Sequence, residues 1–360
     1  MQHDEKYSLG LLSDLCTANG ISGFEDEVVE VAKKYAADYA SLTENSLRNL
    51  YIKRNANTGG KPVVMLDAHS DELGFVVQNI KPNGTLSFLP IGGWLPRAMS
   101  AHKVRVLSST GEYVTGVIAS KPPHFMSDSE KHKELSIDDM VIDVGACSKD
   151  EAINDFKIEL GAPIIPDVGF EYNAKNGIIL TKALDNRLGC AAVIETIKQL
   201  AQTELAVDVV GSLTAQEEVG RRGADAAVNF IKPQVAIVFE GTPADDTFLS
   251  VYDAQSTLRH GPQIRHFDKS MISSPRFTKL AKEIAKKHGI KYQEAVRSGG
   301  GTNAGAIHIA NDGIPCIVLG VPTRYAHSHH CYCALEDYQN TVALAVEVIK
   351  ALNEEIVLSF

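Results

Sequence analysis

Two adjacent carboxylates, Glu217 and Glu218, stand in Ser212-Leu213-Thr214-Ala215-Gln216-Glu217-Glu218-Val219-Gly220, after a strand-like apolar run and before a helix-like segment. Such a pair can divide the work of hydrolysis: one carboxylate holds a metal ion and its neighbour takes a proton from a water on that ion. Residues of the same kind recur at comparable positions. His69 and Asp71 close the apolar run 61–69, Glu240 ends the run 235–239, His327 lies a short loop beyond 316–319, and Asp185 opens the helix after 177–184. In open α/β sheets ligands collect beyond the carboxyl ends of the strands, so two histidines and at least three carboxylates can converge on one edge.

Imidazole and carboxylate without thiolate suit Zn²⁺, Co²⁺ or Mn²⁺ in a catalytic site. Two ions are expected, because one carboxylate can bridge a pair ~3.5 to 4 Å apart, and Asp185 is the expected bridge. In His69-Ser70-Asp71 alternate side chains of an extended segment point the same way, so Asp71 is expected to accept the second ring proton of His69 and orient it. Taken singly, a histidine or glutamate after a strand is ordinary solvated loop chemistry; joint occurrence is what gives these residues weight. His124, His132, His260, His266, His288, His308, His329 and His330 lack a comparable position, and Arg221-Arg222 reads as a solvated helix start. The run Ser298-Gly299-Gly300-Gly301-Thr302-Asn303-Ala304-Gly305 lacks the Lys-Ser/Thr of a phosphate loop and the dinucleotide spacing; it reads as a tight turn bringing backbone near the metals.

These positions require strands with helices between them. Short β-type runs at 103–107, 113–119 and 140–144, separated by turn signals, read as a small β-rich domain inserted into the host fold. Strand and helix alternation resumes after about Gly169, with strands at 207–213, 235–239 and 316–319. Ser274-Pro275 opens a helix that Gly289 closes, and a last helix carries Tyr338, Val342, Ala345, Ile349 and Leu352 on one face. The expected fold is α/β, a mostly parallel central sheet flanked by helices. Residues 1–72 and 167–360 form the discontinuous catalytic domain and 73–166 the insert.

With 360 residues, 44% hydrophobic, the chain can bury a large core. A formal net charge of -10 argues against nucleic acid or an anionic membrane as partner. The start Met-Gln-His-Asp-Glu-Lys-Tyr-Ser lacks the pattern of a secretory signal, and no run approaches a membrane span, so a cytoplasmic protein is expected. The six cysteines show no Cys-x-x-Cys spacing and read mostly as small core residues, with Cys331 and Cys333 as loop residues near a histidine cluster.

The ordered motifs Gly20-Ile21-Ser22-Gly23-Phe24-Glu25, Ala68-His69-Ser70-Asp71-Glu72-Leu73-Gly74, Ala183-Leu184-Asp185-Asn186-Arg187, Gln216-Glu217-Glu218-Val219-Gly220-Arg221-Arg222-Gly223-Ala224, Gly299-Gly300-Gly301-Thr302 and Arg324-Tyr325-Ala326-His327-Ser328 resemble the glutamyl aminopeptidase family of metallo-aminopeptidases, including its TET-type members. The resemblance, from about residue 10 to 350, implies a zinc-peptidase-like catalytic fold with a PDZ-like or β-barrel-like insert. It further implies one metal on His69 and Glu240, another on Glu218 and His327, Asp185 bridging, and Glu217 as general base. Assembly into dimers or dodecamers is implied too. Glu240 and Asn303 stand where the family commonly has Asp, and His329-His330-Cys331-Tyr332-Cys333 departs from its usual continuation.

The expected reaction is hydrolysis of the first peptide bond of short peptides with a free amino terminus. Glu217 takes the proton of a metal-bridging water and later gives it to the departing amine. Glycoside hydrolysis is the rival enzymatic reading, because relatives carry cellulase names and paired carboxylates can perform it; it leaves the histidines unexplained. A binding or scaffold protein with a degenerate metal site is the non-catalytic alternative.

Overall fold

The computed structural model describes residues 4–360 and divides into two compact units. One comprises the chain up to Asp71, Phe170–Ala326 and His330–Phe360; the other comprises Glu72–Gly169 and His327–His329.

The first unit is built on an eight-stranded sheet in the order Ala40–Glu44, Leu50–Arg54, Asp208–Thr214, Val63–His69, Val235–Pro243, Cys316–Thr323, Gln263–Phe267, Gln293–Val296. The strands Asp208–Thr214, Val63–His69, Val235–Pro243 and Cys316–Thr323 run parallel, as near-continuous apolar runs buried on both faces should. Antiparallel pairs appear toward both margins, so the sheet is mixed with a parallel centre. The marginal strands Ala40–Glu44, Leu50–Arg54, Gln263–Phe267 and Gln293–Val296 had no distinct sequence signal. Two central strands are also longer than their apolar runs suggest: 235–239 extends to Pro243, and 316–319 to Thr323. Glu240 therefore lies within its strand rather than at its end.

Helix Leu184–Leu200 is the central packing element, with Leu188, Ala191, Ala192, Val193, Ile194 and Ile197 fully buried. Helix Pro275–His288 has the expected ends: Ser274 accepts a hydrogen bond from Phe277 N, and Gly289 closes it with φ 66°. The last long helix, Leu335–Ala351, buries Tyr338, Val342, Ala345 and Ile349 as its periodicity requires. The run before Asp185 is not part of the large sheet. Ile178–Thr181 pairs antiparallel with Glu171–Asn173 and Cys331–Ala334 in a separate three-stranded sheet. Cys331 and Cys333 are thus buried strand residues, not loop residues.

The second unit is a closed six-stranded antiparallel barrel of Gly74–Ile80, Leu86–Ile91, Met140–Asp143, Tyr113–Ser120, Lys103–Leu107 and Pro163–Pro166. Closure leaves no open sheet edge. Its interior is filled by Phe75, Leu86, Phe88, Val104, Val106, Ile118, Ile142 and Ile164, with Trp94 stacked on Phe75 at 4.9 Å between ring centroids. Trp94, the single tryptophan, is buried and donates Nε1–H to Gly74 O. Among the described residues no helix is long and apolar enough to cross a membrane.

Candidate active site

Sheet register brings the first group of side chains together. Thr214 pairs with His69 across one neighbour of the central strand, and Val238 pairs with Asp67 across the other. Glu240, two residues beyond Val238, comes level with His69, and the turn after Thr214 starts beside it. His69 Nε2 lies 3.2 Å from Asp185 Oδ1 and 3.4 Å from Glu240 Oε1. Ligand atoms of His69, Asp185 and Glu240 all fall within 4.8 Å of one another.

Asp185 is delivered by a bend in the backbone. Ala183 has φ 54°, Asp185 and Asn186 depart from helical dihedrals, and the Asp185–Asn186 peptide bond is cis. Asn186 ties this bend to the Glu240 strand by donating Nδ2–H to Phe239 O at 2.9 Å. Gly241 makes the close approach possible, since a Cβ there would stand 2.7 Å from both Asp185 Cα and Leu184 O.

A buried polar layer supports His69 from below and behind. Asp67 accepts from Ser212 Oγ at 2.6 Å and from Asn303 Nδ2 at 2.8 Å, and Asn303 also donates to Thr214 Oγ1. The exposed glycines 299–301 thus lead into a residue whose amide is locked to the His69 and Thr214 strands. An amide supplies the two donors used here; a carboxylate would set a second charge against Asp67. Arg187, fully buried, donates to Ser70 O, Leu15 O, Ala18 O and Gly20 O, clamping the His69–Asp71 segment to the preceding turn.

Asp71 does more than face the histidine. His69 Nδ1 lies 3.1 Å from the Asp71 carbonyl oxygen and 3.4 Å from its carboxylate. The carboxylate's shorter bonds come from Ser22 Oγ at 2.6 Å, Glu217 N at 2.9 Å and Glu218 N at 3.1 Å. Asp71 therefore joins the histidine segment to the turn carrying Glu217 and Glu218. That turn is closed by Gly223 N donating to Ala215 O at 2.9 Å, and by Asn49, which accepts from Ala215 N and donates to Gly223 O. A Cβ on Gly223 would meet Ala215 O at 2.3 Å.

Electrostatics mark the cluster as a place for positive charge. Burial, reinforced by the Asp185 and Glu217 charges, pushes the Glu240 carboxyl up to about 8 despite its His69 neighbour. Burial also pushes Glu217 up to about 7, with His69 pulling down and Asp71 and Asp185 pushing further up. Burial works against a charged His69, yet its hydrogen bonds to Asp185, Asp71 and Glu240 hold its pKa well above the ordinary value. Asp71 falls below the usual carboxylate range, burial notwithstanding, because His69, Ser22 and Glu217 N stabilise its charge. Glu240 Oε1 is buried, with His69 Nε2 3.4 Å away. Crowded, buried carboxylates beside an imidazole fit a divalent cation.

Carboxylate oxygens of Asp185 and Glu218 also lie within 4.8 Å of one another. His327, with φ 62°, belongs to the barrel unit, where its Nδ1 is 3.1 Å from Gly93 O. His329 is buried in the same unit, stacked on His102 at 4.0 Å and tilted against Trp94 at 4.9 Å. Cys331 Sγ donates to Tyr325 O, and Cys333 pairs with Ile179 of the neighbouring strand. Sequence reasoning gave no role to Asn49, Asp67, Asn186 or Cys190, whose thiol donates to His69 O. Their identities are ordinary for helices and strands, and only their long-range partners distinguish them.

Residues 49–344 match the family model of the M42 glutamyl aminopeptidases. The glutamyl aminopeptidase of Lactococcus lactis is 32% identical, over 93% of both chains. A TET aminopeptidase crystal structure from a marine sediment archaeon of the Thaumarchaeota superposes with a TM-score of 0.94 at 35% identity, covering 98% of this chain and 99% of that one. The TET1 peptidase of Pyrococcus horikoshii, described as assembling into a tetrahedron or a large octahedral shell, gives 0.86 at 30% identity, over 96% and 100%. The chain belongs to the M42 glutamyl aminopeptidase family, a family of peptidases.

Proposed function

We propose that this M42 chain is a dinuclear metallo-aminopeptidase that removes the first residue from short peptides with a free amino terminus. The observation that carries the reading is the convergence of His69, Asp185 and Glu240 within 4.8 Å, with Glu217 close enough to feel the charges of His69 and Asp185 and to act on that of Glu240. His69 and Glu240 would hold one ion, with Asp185 shared. For the second ion, Glu218 stands beside Asp185, and His327 is added on the family resemblance alone. When bound, two such ions supply Lewis acidity toward a peptide carbonyl and toward water. Zinc or cobalt suits the donor set best, with manganese next.

The remaining work belongs to side chains. Glu217, half-buried, serves as general base for the attacking water and then as general acid for the departing amine. A carboxyl displaced upward by burial has the proton affinity for both steps near neutral pH. Asp71 fixes the backbone on either side of that base through Glu217 N and Glu218 N. An acidic group at this cluster would anchor the substrate's terminal ammonium, or a bound ion its free amine. A homo-oligomer built through the barrel unit, dimeric or dodecameric, is part of the same proposal.

The test is metal analysis paired with a panel of aminoacyl anilides, before and after chelation and after metal return. Two equivalents per subunit, with activity lost and then restored, are expected. Glucan cleavage that survives chelation would overturn the reading, and absence of bound metal would leave a binding protein.

A further inference from the structure

We propose that Glu25 is a positioning residue for the general base, gripping the turn that carries Glu217 jointly with Asp71. The inference rests on the reading of Glu217 as base.

Glu25 immediately precedes helix Asp26–Ala36, yet its side chain caps nothing there. It is fully buried and its Oε1 accepts from Gly23 N at 2.8 Å and from Gln216 N at 3.2 Å. Asp71, also fully buried, takes the next two amides, Glu217 N and Glu218 N. Three consecutive N–H groups, 216 to 218, therefore end on two buried carboxylates from segments far apart in sequence. Ser22 completes the grip by donating to Asp71 from the same turn as Glu25.

A local turn does not need this. Loop amides are ordinarily satisfied by water or by neutral side chains, whereas burying a carboxylate is costly unless its bonds repay it. Here one Glu25 oxygen, Oε2, is buried with no hydrogen bond at all. Gln216 moreover has φ 59°, a left-handed conformation that a residue with a Cβ adopts at some cost. The Glu25 bond falls on that residue, one position before the base. Cost and strain concentrated there are explained if the orientation of Glu217 is what the arrangement secures.

The test is steady-state kinetics and metal content of Glu25→Ala, Glu25→Asp and Glu25→Gln, beside Glu217→Gln. Misplacing a catalytic group by about 1 Å costs on the order of 100-fold, so Glu25→Ala should lower kcat by about 10- to 100-fold with KM and metal content unchanged. Glu25→Asp, which keeps the charge but withdraws the acceptor, should fall in the same direction. Glu25→Gln, whose amide oxygen can accept the same two bonds, should recover kcat to within about threefold of the parent. Should Glu25→Ala fail to fold, the Asp and Gln pair alone decides. Parent-like kcat in the Asp variant, or a Gln variant as slow as the Asp variant, would overturn the inference. An active Glu217→Gln would instead remove the base assignment itself.

Discussion

The two units spend their interiors differently. The barrel encloses Phe75, Leu86, Val104, Ile118, Ile142 and Ile164, and its strands contribute almost nothing polar to the inside. The large sheet is equally apolar through its middle, but around His69 the first unit buries Asp67, Asp71, Asn186, Arg187 and Glu240. Burial of this kind costs stability unless each group finds a partner or an ion. Expensive side chains concentrated around His69 set the region to which the proposed function assigns chemistry apart from one that packs.

That contrast can be broken in three places. The largest effect is expected at Glu217→Gln: a loss of about 10²- to 10⁴-fold in kcat, the range for removing a general acid or base, with metal content unchanged and no fall in thermal midpoint. Comparable turnover in this variant would show that the polar strand ends do not perform the chemistry as assigned.

Phe75→Ala tests the other side. Emptying a fully buried aromatic should cost about 3 to 5 kcal/mol of stability in the barrel, seen as an unfolding transition at lower temperature and denaturant concentration. Folded enzyme should keep its kcat, and a selective loss of kcat would mean that the barrel interior does more than pack.

The smallest effect concerns charge at the metal-free site. Glu240 is raised from 4.5 to about 8 by burial, so the folded state binds its proton more tightly than the unfolded chain does. Its contribution is fully present below about 4.5 and lost as pH rises through about 8. Metal-free protein should therefore lose stability across that window, and Glu240→Gln should flatten the profile and be more stable at pH 8, while binding metal less tightly. Thermal melts of chelated protein against pH check this; parallel profiles for both proteins would refute it.

Much of the site was legible because strand ends are legible. Apolar runs closing on His69, on Thr214 before Glu217, and near Glu240 are short-range patterns, and the α/β rule says where their ends gather. The Pro-first, Gly-last helix Pro275–His288 and the barrel strands read at 103–107 and 113–119 were visible for the same reason. Strand lengths were less so: Gly241 and Gly320 sit in strands whose apolar patterns had already stopped. The marginal strands are only four or five residues long, so the alternation of Ala40–Glu44 is too brief to stand out in the sequence.

By itself the sequence determined which side chains were available for chemistry, two histidines and a set of carboxylates at strand ends, and that alternating elements would form a sheet to carry them. Only the tertiary structure decided which of them share one cluster, how Gly241 admits the Asp185 bend, and that Glu25 and Asp71 hold three successive amides of the Glu217 turn. It also decided that His327–His329 go with the barrel, although their neighbours in sequence do not. Periodicity is set by neighbours a few residues apart. Hydrogen bonds between residues 25, 71 and 216–218 exist only once the sheet has brought those segments together.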